Sequence, residues 1–223
     1  MTPAKPTLRF ERGLFRAGTA VLGAVDEVGR GSPAGPATCG IVLIDNNVGR
    51  VPDGLRDSKL LTAAAREALV PEIEAWVLQS AVGHASAFEV DDLGLNGALR
   101  LAGHRALATL VGRVDAILLD GSFDWLSQPR QANLLSSTQG VDVVVPPVTT
   151  KIKADLTCAS VAAASVLAKV SRDAMMTDLA HQYPGYGWES NKGYGSPGHF
   201  AAIRHLGLTP QHRKTWRLPD SPQ

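Results

Sequence analysis

Apolar and polar positions follow two different periods along the chain, and together the two periods predict an α/β protein. Short apolar runs bounded by Gly, Pro or Asp are typical of strands, whereas apolar residues three or four positions apart are typical of helices. We therefore expect strands over residues 21–26, 38–44, 80–88, 116–119 and 141–145. The helical pattern covers residues 63–70, 92–111, 156–179 and 196–206.

The turns between these segments indicate how the elements connect. Residues 29–36 hold three Gly and two Pro between two apolar runs, so we expect a hairpin of antiparallel strands. Thr62 is an N-cap candidate, and at Pro71 the helix that follows either kinks or gives way to a second segment. Residues 1–18 are expected to be a loose lead-in, and no element is predicted over residues 122–140. The order of elements predicts an α/β layered domain.

The composition is that of a globular protein without membrane spans. The chain has 223 residues, of which 44% are hydrophobic and 19% charged. No apolar stretch approaches the roughly 20 residues that cross a bilayer, and no secretory signal is evident, so we expect a cytoplasmic protein with no membrane association. Cys39 and Cys158 have neither metal-ligand spacing nor a disulfide framework, and both are expected to be small buried groups.

The charge is unevenly distributed along the chain. The formal net charge is +1 overall, but it is −3 over residues 1–150 and +4 over residues 151–223. Four of the six histidines also lie after residue 180. A basic C-terminal third behind an acidic front favours a polyanion held near a group of carboxylates, although a chance segregation of charge gives the same numbers.

Four carboxylates stand at the ends of predicted elements. Asp26 and Glu27 follow an apolar strand, Asp120 ends another, and Asp155 precedes a helix. Taken singly, the first two are explained as a solvated pair at a strand end and Asp155 as an N-cap. Taken together, they make an oxygen-rich site that suits Mg²⁺ or Mn²⁺, whereas the absence of clustered His and Cys in the sequence argues against zinc.

The turn Gly29-Arg30-Gly31 directly follows the first acidic pair. It is not a Walker A loop, because no Gly-Lys-Ser/Thr follows, and its glycine spacing does not match a dinucleotide fingerprint. Small residues let backbone amides approach a sugar-phosphate closely, and Arg30 adds a donor for phosphate.

Several blocks of sequence, in order, make the chain similar to one known family. They begin with Asp26-Glu27 and Gly29-Arg30-Gly31 and cover the segments 57–60, 118–121, 153–155, 160–173, 191–195 and 207–216. These blocks resemble ribonuclease HII, the type 2 ribonuclease H family, over residues 20–216. Asn191 stands where the family commonly has a His, and the stretch 122–140 is longer than expected and has no assigned role.

The resemblance implies an RNase H-like fold and a division of the chain. The expected fold is α/β, with a mixed central sheet whose first three strands are antiparallel, flanking helices and a C-terminal helical segment. The catalytic domain is expected over residues 19–180. A Gly-rich loop and helix packed on it would cover residues 181–217, followed by a tail over 218–223.

The resemblance also implies an activity and a set of site residues. The expected activity is endonucleolytic cleavage of RNA in RNA/DNA hybrids and incision 5′ of single ribonucleotides in duplex DNA. Two Mg²⁺ or Mn²⁺ ions would be held by Asp26, Glu27, Asp120 and Asp155, leaving 5′-phosphate and 3′-hydroxyl ends. Gly29, Arg30, Gly31 and Tyr194 match the residues that sense the ribose 2′-hydroxyl. The alternatives are a non-catalytic hybrid-binding protein and another RNase H-like DNA nuclease.

Basic residues near these motifs are candidates for phosphate contacts. A solvated surface role is an equal alternative for each of them. The candidates are Lys59, Lys169, Lys192, Arg213 and Lys214. Asp173 is expected to form a salt bridge or to support the site from behind rather than to bind metal, and we expect a monomer.

Overall fold

A computed structural model describes residues 5–127 and 143–219 and has one mixed five-stranded sheet at its centre. The strands lie in the order β3-β2-β1-β4-β5. The first three strands pair with one another in antiparallel fashion, as predicted, while β4 is parallel to both β1 and β5. Their bounds are β1 Val21–Val28, β2 Ala37–Asp45, β3 Gln79–Ala85, β4 Ala116–Asp120 and β5 Val148–Lys151.

Helices cover both faces of this sheet. Their bounds are α1 Arg9–Arg16, α2 Ala63–Trp76, α3 Ala87–Thr109, α4 Ala154–Thr157, α5 Ala159–Gln182, α6 Trp188–Asn191 and α7 Pro197–Leu206. Side chains alternate along β1, so Ala24 packs with α1, α2 and α5 while Val25 packs with α3. The described helices include none with both the length and the apolar character that a bilayer crossing needs.

The expectation of a loose lead-in over residues 1–18 is wrong for residues 5–18, because α1 lies within them, and residues 1–4 lie outside the described residues. Leu8 and Phe15 are buried in the core on the α5 side of the sheet. Glu11 is also buried and accepts hydrogen bonds from the amide and hydroxyl of Ser160, at 3.1 and 2.7 Å. The segment is therefore fastened to the start of α5 by one buried face.

The single helix predicted over residues 156–179 is interrupted in the structure. Cys158 has an extended backbone (φ −108°, ψ 121°) and separates α4 from α5. Thr7 lies beside this break, where its amide donates to Thr157 and its carbonyl accepts from Ala159, both at 3.1 Å. The N-terminal segment thus takes up backbone groups that a continuous helix would have bonded internally.

The strand predicted over residues 141–145 is wrong for residues 143–145, which form no regular element. Residues 141 and 142 lie outside the described residues, as does most of the stretch 122–140. The strand begins instead after Pro146 and Pro147, which have no amide hydrogen to add to a ladder. The carbonyl of Pro147 still accepts from Ile117 at 2.9 Å, so the prolines lead into β5.

Several predicted elements are confirmed with shifted ends. The helix that Thr62 caps runs through Pro71 as one element to Trp76. Helix α3 begins five residues earlier than predicted, because Ser86 and Glu89 form a capping box, and Gly94 (φ 68°) kinks it. Phe88 therefore belongs to α3 and not to the third strand.

The C-terminal segment packs against the end of α5 through its own small core. Ala34, Met176, Tyr186, Trp188 and Ile203 form this cluster. Two histidines connect this cluster by hydrogen bonds. The Trp188 indole donates to His199 Nε2 at 3.0 Å, and the Thr209 amide donates to His212 Nδ1 at 2.9 Å. The two histidines bond each other through their Nε2 atoms at 3.2 Å. Since the indole and the amide only donate, both imidazoles are neutral in this network.

We predict that His212 makes the stability of this segment pH-dependent. Burial, with a smaller effect of His199, lowers the pKa of His212 from 6.5 to about 4. Between about pH 6.5 and about pH 4 the His212 side chain is protonated in the unfolded chain but neutral in the folded chain. The free energy of unfolding should therefore fall as the pH drops from about 6.5 to about 4. Denaturant titrations across that range should show a smaller fall for His212→Gln. His205→Gln, at an exposed position, should behave like the wild type, and an unchanged slope in His212→Gln would contradict the assignment.

Candidate active site

The sheet and one short helix bring three of the four predicted carboxylates to one place. Strands β1 and β4 are parallel neighbours with Val25 opposite Leu119, so Asp26 and Asp120 follow side by side at their carboxyl ends. Helix α4 starts after β5, and the amide of Ala154 donates to Asp120 Oδ1 at 2.6 Å. This bond draws the first turn of α4, and Asp155 with it, against Asp120.

Burial and mutual repulsion disfavour the ionised form of these carboxylates. Burial, with the charges of Glu27 and Asp120, raises the pKa of Asp26 well above its usual range, although the nearby Ser165 side chain acts in the opposite direction. Burial also raises the pKa of Glu27 and of Asp120, the latter with a further contribution from Asp155. Asp26 is only 4% exposed, so it is not the solvated strand-end residue of the simpler interpretation.

Lys59 reaches into this group from the segment before α2. Its Nζ lies 2.9 Å from Asp155 Oδ2 and 3.6 Å from Asp57 Oδ1. Partial burial opposes its charge, but the hydrogen bond and charge of Asp155, with Asp57 and Asp26, raise its pKa overall. Its side chain is nevertheless 71% exposed, so the ammonium faces both the carboxylates and an approaching anion. Asp155 thus bonds to Lys59, and the N-cap position of α4 is Lys153.

The carboxylate oxygens of this site are ligands that suit a hard divalent cation, although the side chains are not arranged as a complete coordination shell. Among the residues described, no three His, Cys, Asp or Glu side chains are arranged to hold a metal ion. Glu27 Oε2, however, is buried without a hydrogen-bond partner among those residues. A cation that prefers oxygen ligands, such as Mg²⁺ or Mn²⁺, would offset the cost of burying this unpaired oxygen among carboxyl groups with raised pKa values.

The glycine turn meets Tyr194 next to the carboxylates. The amide of Gly29 donates to the Tyr194 hydroxyl at 3.2 Å. Arg30 bonds Glu27 Oε1 and Asn96 Oδ1, each at 3.3 Å. A Cβ on Gly29 would collide with Arg172 and with the Pro36 carbonyl, and its φ of +83° also requires glycine. The turn is therefore joined to the acidic group through Arg30 and to Tyr194 through Gly29.

Two buried arginines support this turn from beneath. Arg213 Nη2 donates to the carbonyls of Gly29 and Gly35, at 2.7 and 3.1 Å. Arg172 donates to Pro36 at 2.9 Å and lies 5.1 Å from the Tyr194 ring centre. Arg213 is fully buried, so the phosphate contact expected of it is replaced by hydrogen bonds to the turn itself.

The other predicted phosphate ligands differ in their contacts and exposure. Lys169 bonds Asp173 at 2.6 Å and lies 5.5 Å from the Tyr194 ring, and Asp173 is the salt-bridge residue that was expected. Lys192 donates to Thr177 at 2.6 Å, which holds it on α5. Lys214 is exposed beyond the turn.

Sequence reasoning missed three residues that shape the site. Asn96 bonds Arg30, Ser165 lies near Asp26 and bonds Ser58 at 2.8 Å, and Arg172 supports the turn. Each belongs to a helix whose periodicity signals packing only. For Arg172, the one available signal was a charged residue at a core-facing helical position.

Comparisons with known proteins give a consistent result. A family model described as Ribonuclease HII matches residues 22–218. A protein named ribonuclease HII from Streptomyces avermitilis is 44% identical over 217 residues, which cover 97% of this chain and 85% of that protein.

Solved structures confirm the predicted RNase H-like fold. The ribonuclease H2 of Pyrococcus horikoshii matches with a TM-score of 0.69 at 28% identity, over 88% of this chain and 94% of that chain. Bst-RNase HIII in complex with Mn²⁺ matches with a TM-score of 0.62 at 21% identity, over 91% of this chain and 69% of that chain.

We predict that Asp26→Asn stabilises the protein. The raised pKa of Asp26 means that its ionised form is disfavoured in the folded state, so a neutral amide of the same shape removes a destabilising charge. The asparagine oxygen can still accept from Ser165. The melting temperature at pH 7 without added metal should rise by a few degrees. Asp178→Asn, at an exposed position on α5, should leave it unchanged. A lower melting temperature for Asp26→Asn would show that the carboxylate is not under electrostatic strain.

Proposed function

Because the chain belongs to the ribonuclease HII family and is therefore a ribonuclease H, we propose that it cuts hybrids and also incises 5′ of single ribonucleotides in duplex DNA. Ribonucleases H are hydrolases that act on RNA/DNA hybrids, and membership in the family favours this enzyme over a non-catalytic hybrid-binding protein or an unrelated DNA nuclease. Incision at single ribonucleotides would give it a role in the removal of ribonucleotides from DNA. We also propose that it acts as a monomer in the cytoplasm.

The joining of the glycine turn to the acidic group carries this proposal. Arg30 lies 3.3 Å from Glu27, and Gly29 is bonded to Tyr194, so a nucleotide at the carboxylates also meets the turn. Only RNA has the 2′-hydroxyl, which both donates and accepts hydrogen bonds. The backbone of Gly29 and Gly31, the Arg30 guanidinium and the Tyr194 hydroxyl supply partners for it. The Tyr194 ring also supplies a surface on which the next deoxyribose can pack.

Metal ions complete the chemistry that we propose. The family is metal-dependent, and the related ribonuclease HIII was solved with Mn²⁺. Asp26, Glu27, Asp120 and Asp155 would hold a pair of Mg²⁺ or Mn²⁺ ions. When bound, such a pair activates a water and stabilises the leaving 3′-oxygen, which gives 5′-phosphate and 3′-hydroxyl ends.

The protein's own cations would place the substrate phosphates. Lys59 lies beside Asp155 with most of its side chain exposed, and Lys169 lies beside Tyr194. We propose that these two contact the phosphates nearest the cut. Lys192 and Lys214, which lie beyond the turn, are proposed for more distant phosphates.

A duplex DNA with one embedded ribonucleotide tests the proposal directly. With Mg²⁺ the wild-type protein should cut once, on the 5′ side of the ribonucleotide, and chelation should stop the reaction. Asp120→Asn should lower kcat by at least about a thousandfold while binding of the duplex survives, because only the anionic ligand is removed. Asp178→Asn should cut at the wild-type rate. An uncut substrate would refute the proposal, and an active Asp120→Asn would refute the metal role of Asp120.

Alanine variants at two glycines of the turn distinguish an effect on folding from an effect on substrate contact. A Cβ on Gly31 meets no atom within 4 Å, and its φ is not in the left-handed region, so Gly31→Ala should fold with unchanged stability. If Gly31 is small because a ribose approaches it, this variant should lose cleavage at a single ribonucleotide by at least about tenfold. Gly29→Ala should lower the melting temperature as well, since its Cβ has no room. Full activity in Gly31→Ala would contradict the close approach.

A further inference from the structure

A basic groove lies between α1 and the loop that follows β2, apart from the carboxylates. Its volume is about 950 Å³, and it is lined by residues of two segments, 5–16 and 49–55. Five cationic side chains line it, namely Lys5, Arg9, Arg12, Arg16 and Arg50. Asp53 is the single acidic residue among its lining residues, and it is bonded to Arg50 at 3.0 Å.

The arginines of α1 are arranged along one exposed face of the helix. Arg9, Arg12 and Arg16 are three and four residues apart, so they project from the same side and span about 10 Å along the axis. Within the described residues none of them has an ion-pair partner. The acid on this helix, Glu11, is buried and bonded to Ser160, so it does not neutralise the groove.

The groove continues toward the carboxylates. A second cavity of about 440 Å³ shares Thr7 and Arg9 with it and is also lined by Lys151 and Thr157. Lys151 is the strand partner of Asp120, and Thr157 lies two residues after Asp155. A chain of cations therefore runs from Arg16 to the edge of the candidate active site.

We infer that this groove binds the sugar-phosphate backbone of a nucleic-acid duplex that extends beyond the cleavage site, and this inference rests on the proposed function. A backbone carries one phosphate per strand for about every 3.4 Å of helix axis, so three arginines over about 10 Å match about three nucleotides. A concave wall of arginines suits a polyanionic strand, whereas a membrane surface would call for exposed apolar side chains among the cations. The contacts are to phosphates and carry no sequence preference.

Duplexes of two lengths test the inference. One is about 10 base pairs long and ends near the ribonucleotide, and the other extends about 15 base pairs on each side. Arg12→Gln/Arg16→Gln should raise KM on the long duplex roughly tenfold at moderate salt and flatten the salt dependence of binding by about two units. Cleavage of the short duplex should be unchanged. Arg12→Lys/Arg16→Lys should behave like the wild type, because a point charge suffices, and Arg204→Gln is the control for an exposed arginine elsewhere.

The outcomes separate this inference from the proposed function. If the wild type cuts neither duplex, the proposed function fails. If it cuts both and the glutamine variant retains the wild-type KM and salt dependence on the long duplex, the groove does not bind the substrate. Equal losses on both duplexes would also overturn the inference, since they indicate damage to the active site. Loss of binding to vesicles of anionic lipid, with binding to the long duplex unchanged, would assign the groove to a membrane surface instead.

Discussion

The structure depends on holding several negative charges together where water is largely excluded. Strands β1 and β4 are parallel neighbours, with Asp26 near the end of β1 and Asp120 at the end of β4, close enough for the charge of Asp120 to act on Asp26. Helix α5 closes one face over them. It can do so because a run of alanines lets it approach the sheet closely, to the point where a Cβ on Gly40 would collide with the Ala164 carbonyl. The same approach brings Ser165 to Asp26. Packing and charge are thus set by the same contact.

The neighbouring turn has the opposite electrostatic character. Arg172 and Arg213 are fully buried, and hydrogen bonds to backbone carbonyls supply most of their polar partners. Burial therefore lowers the pKa of Arg213 to about 10, and it remains charged at neutral pH. The carbonyl of Gly29 accepts from Arg213, whereas the amide of the same residue donates to the Tyr194 hydroxyl. The anionic pocket and the cationic support meet at Arg30, which bonds Glu27.

Much of this could be predicted from local sequence, and what failed has a physical reason. The hairpin and the Thr62 cap each depend on a few adjacent residues, and their positions are confirmed. Helix α1 was missed because an eight-residue helix has a weak signal of its own and is stabilised by Glu11 meeting Ser160, 149 positions away. The break at Cys158 likewise depends on Thr7.

The candidate site was predictable only in part for the same reason. Acidic residues at strand ends and a glycine turn are visible in the sequence, and the structure brings them together. The role of Arg213 was not visible, because a charged residue near the C-terminus gives no sign that it will be buried beneath a turn 184 positions away. Lys59 was visible as a cation, but its bond to Asp155 spans 96 positions.

Binding of a divalent cation in the absence of nucleic acid tests the central claim most directly. If Asp26, Glu27, Asp120 and Asp155 form one pocket of uncompensated charge, Mn²⁺ should bind the wild-type protein saturably and raise its melting temperature. Asp120→Asn should lose most of that rise, and Asp178→Asn should retain it. An equal rise in all three proteins, or none in the wild type, would contradict the account.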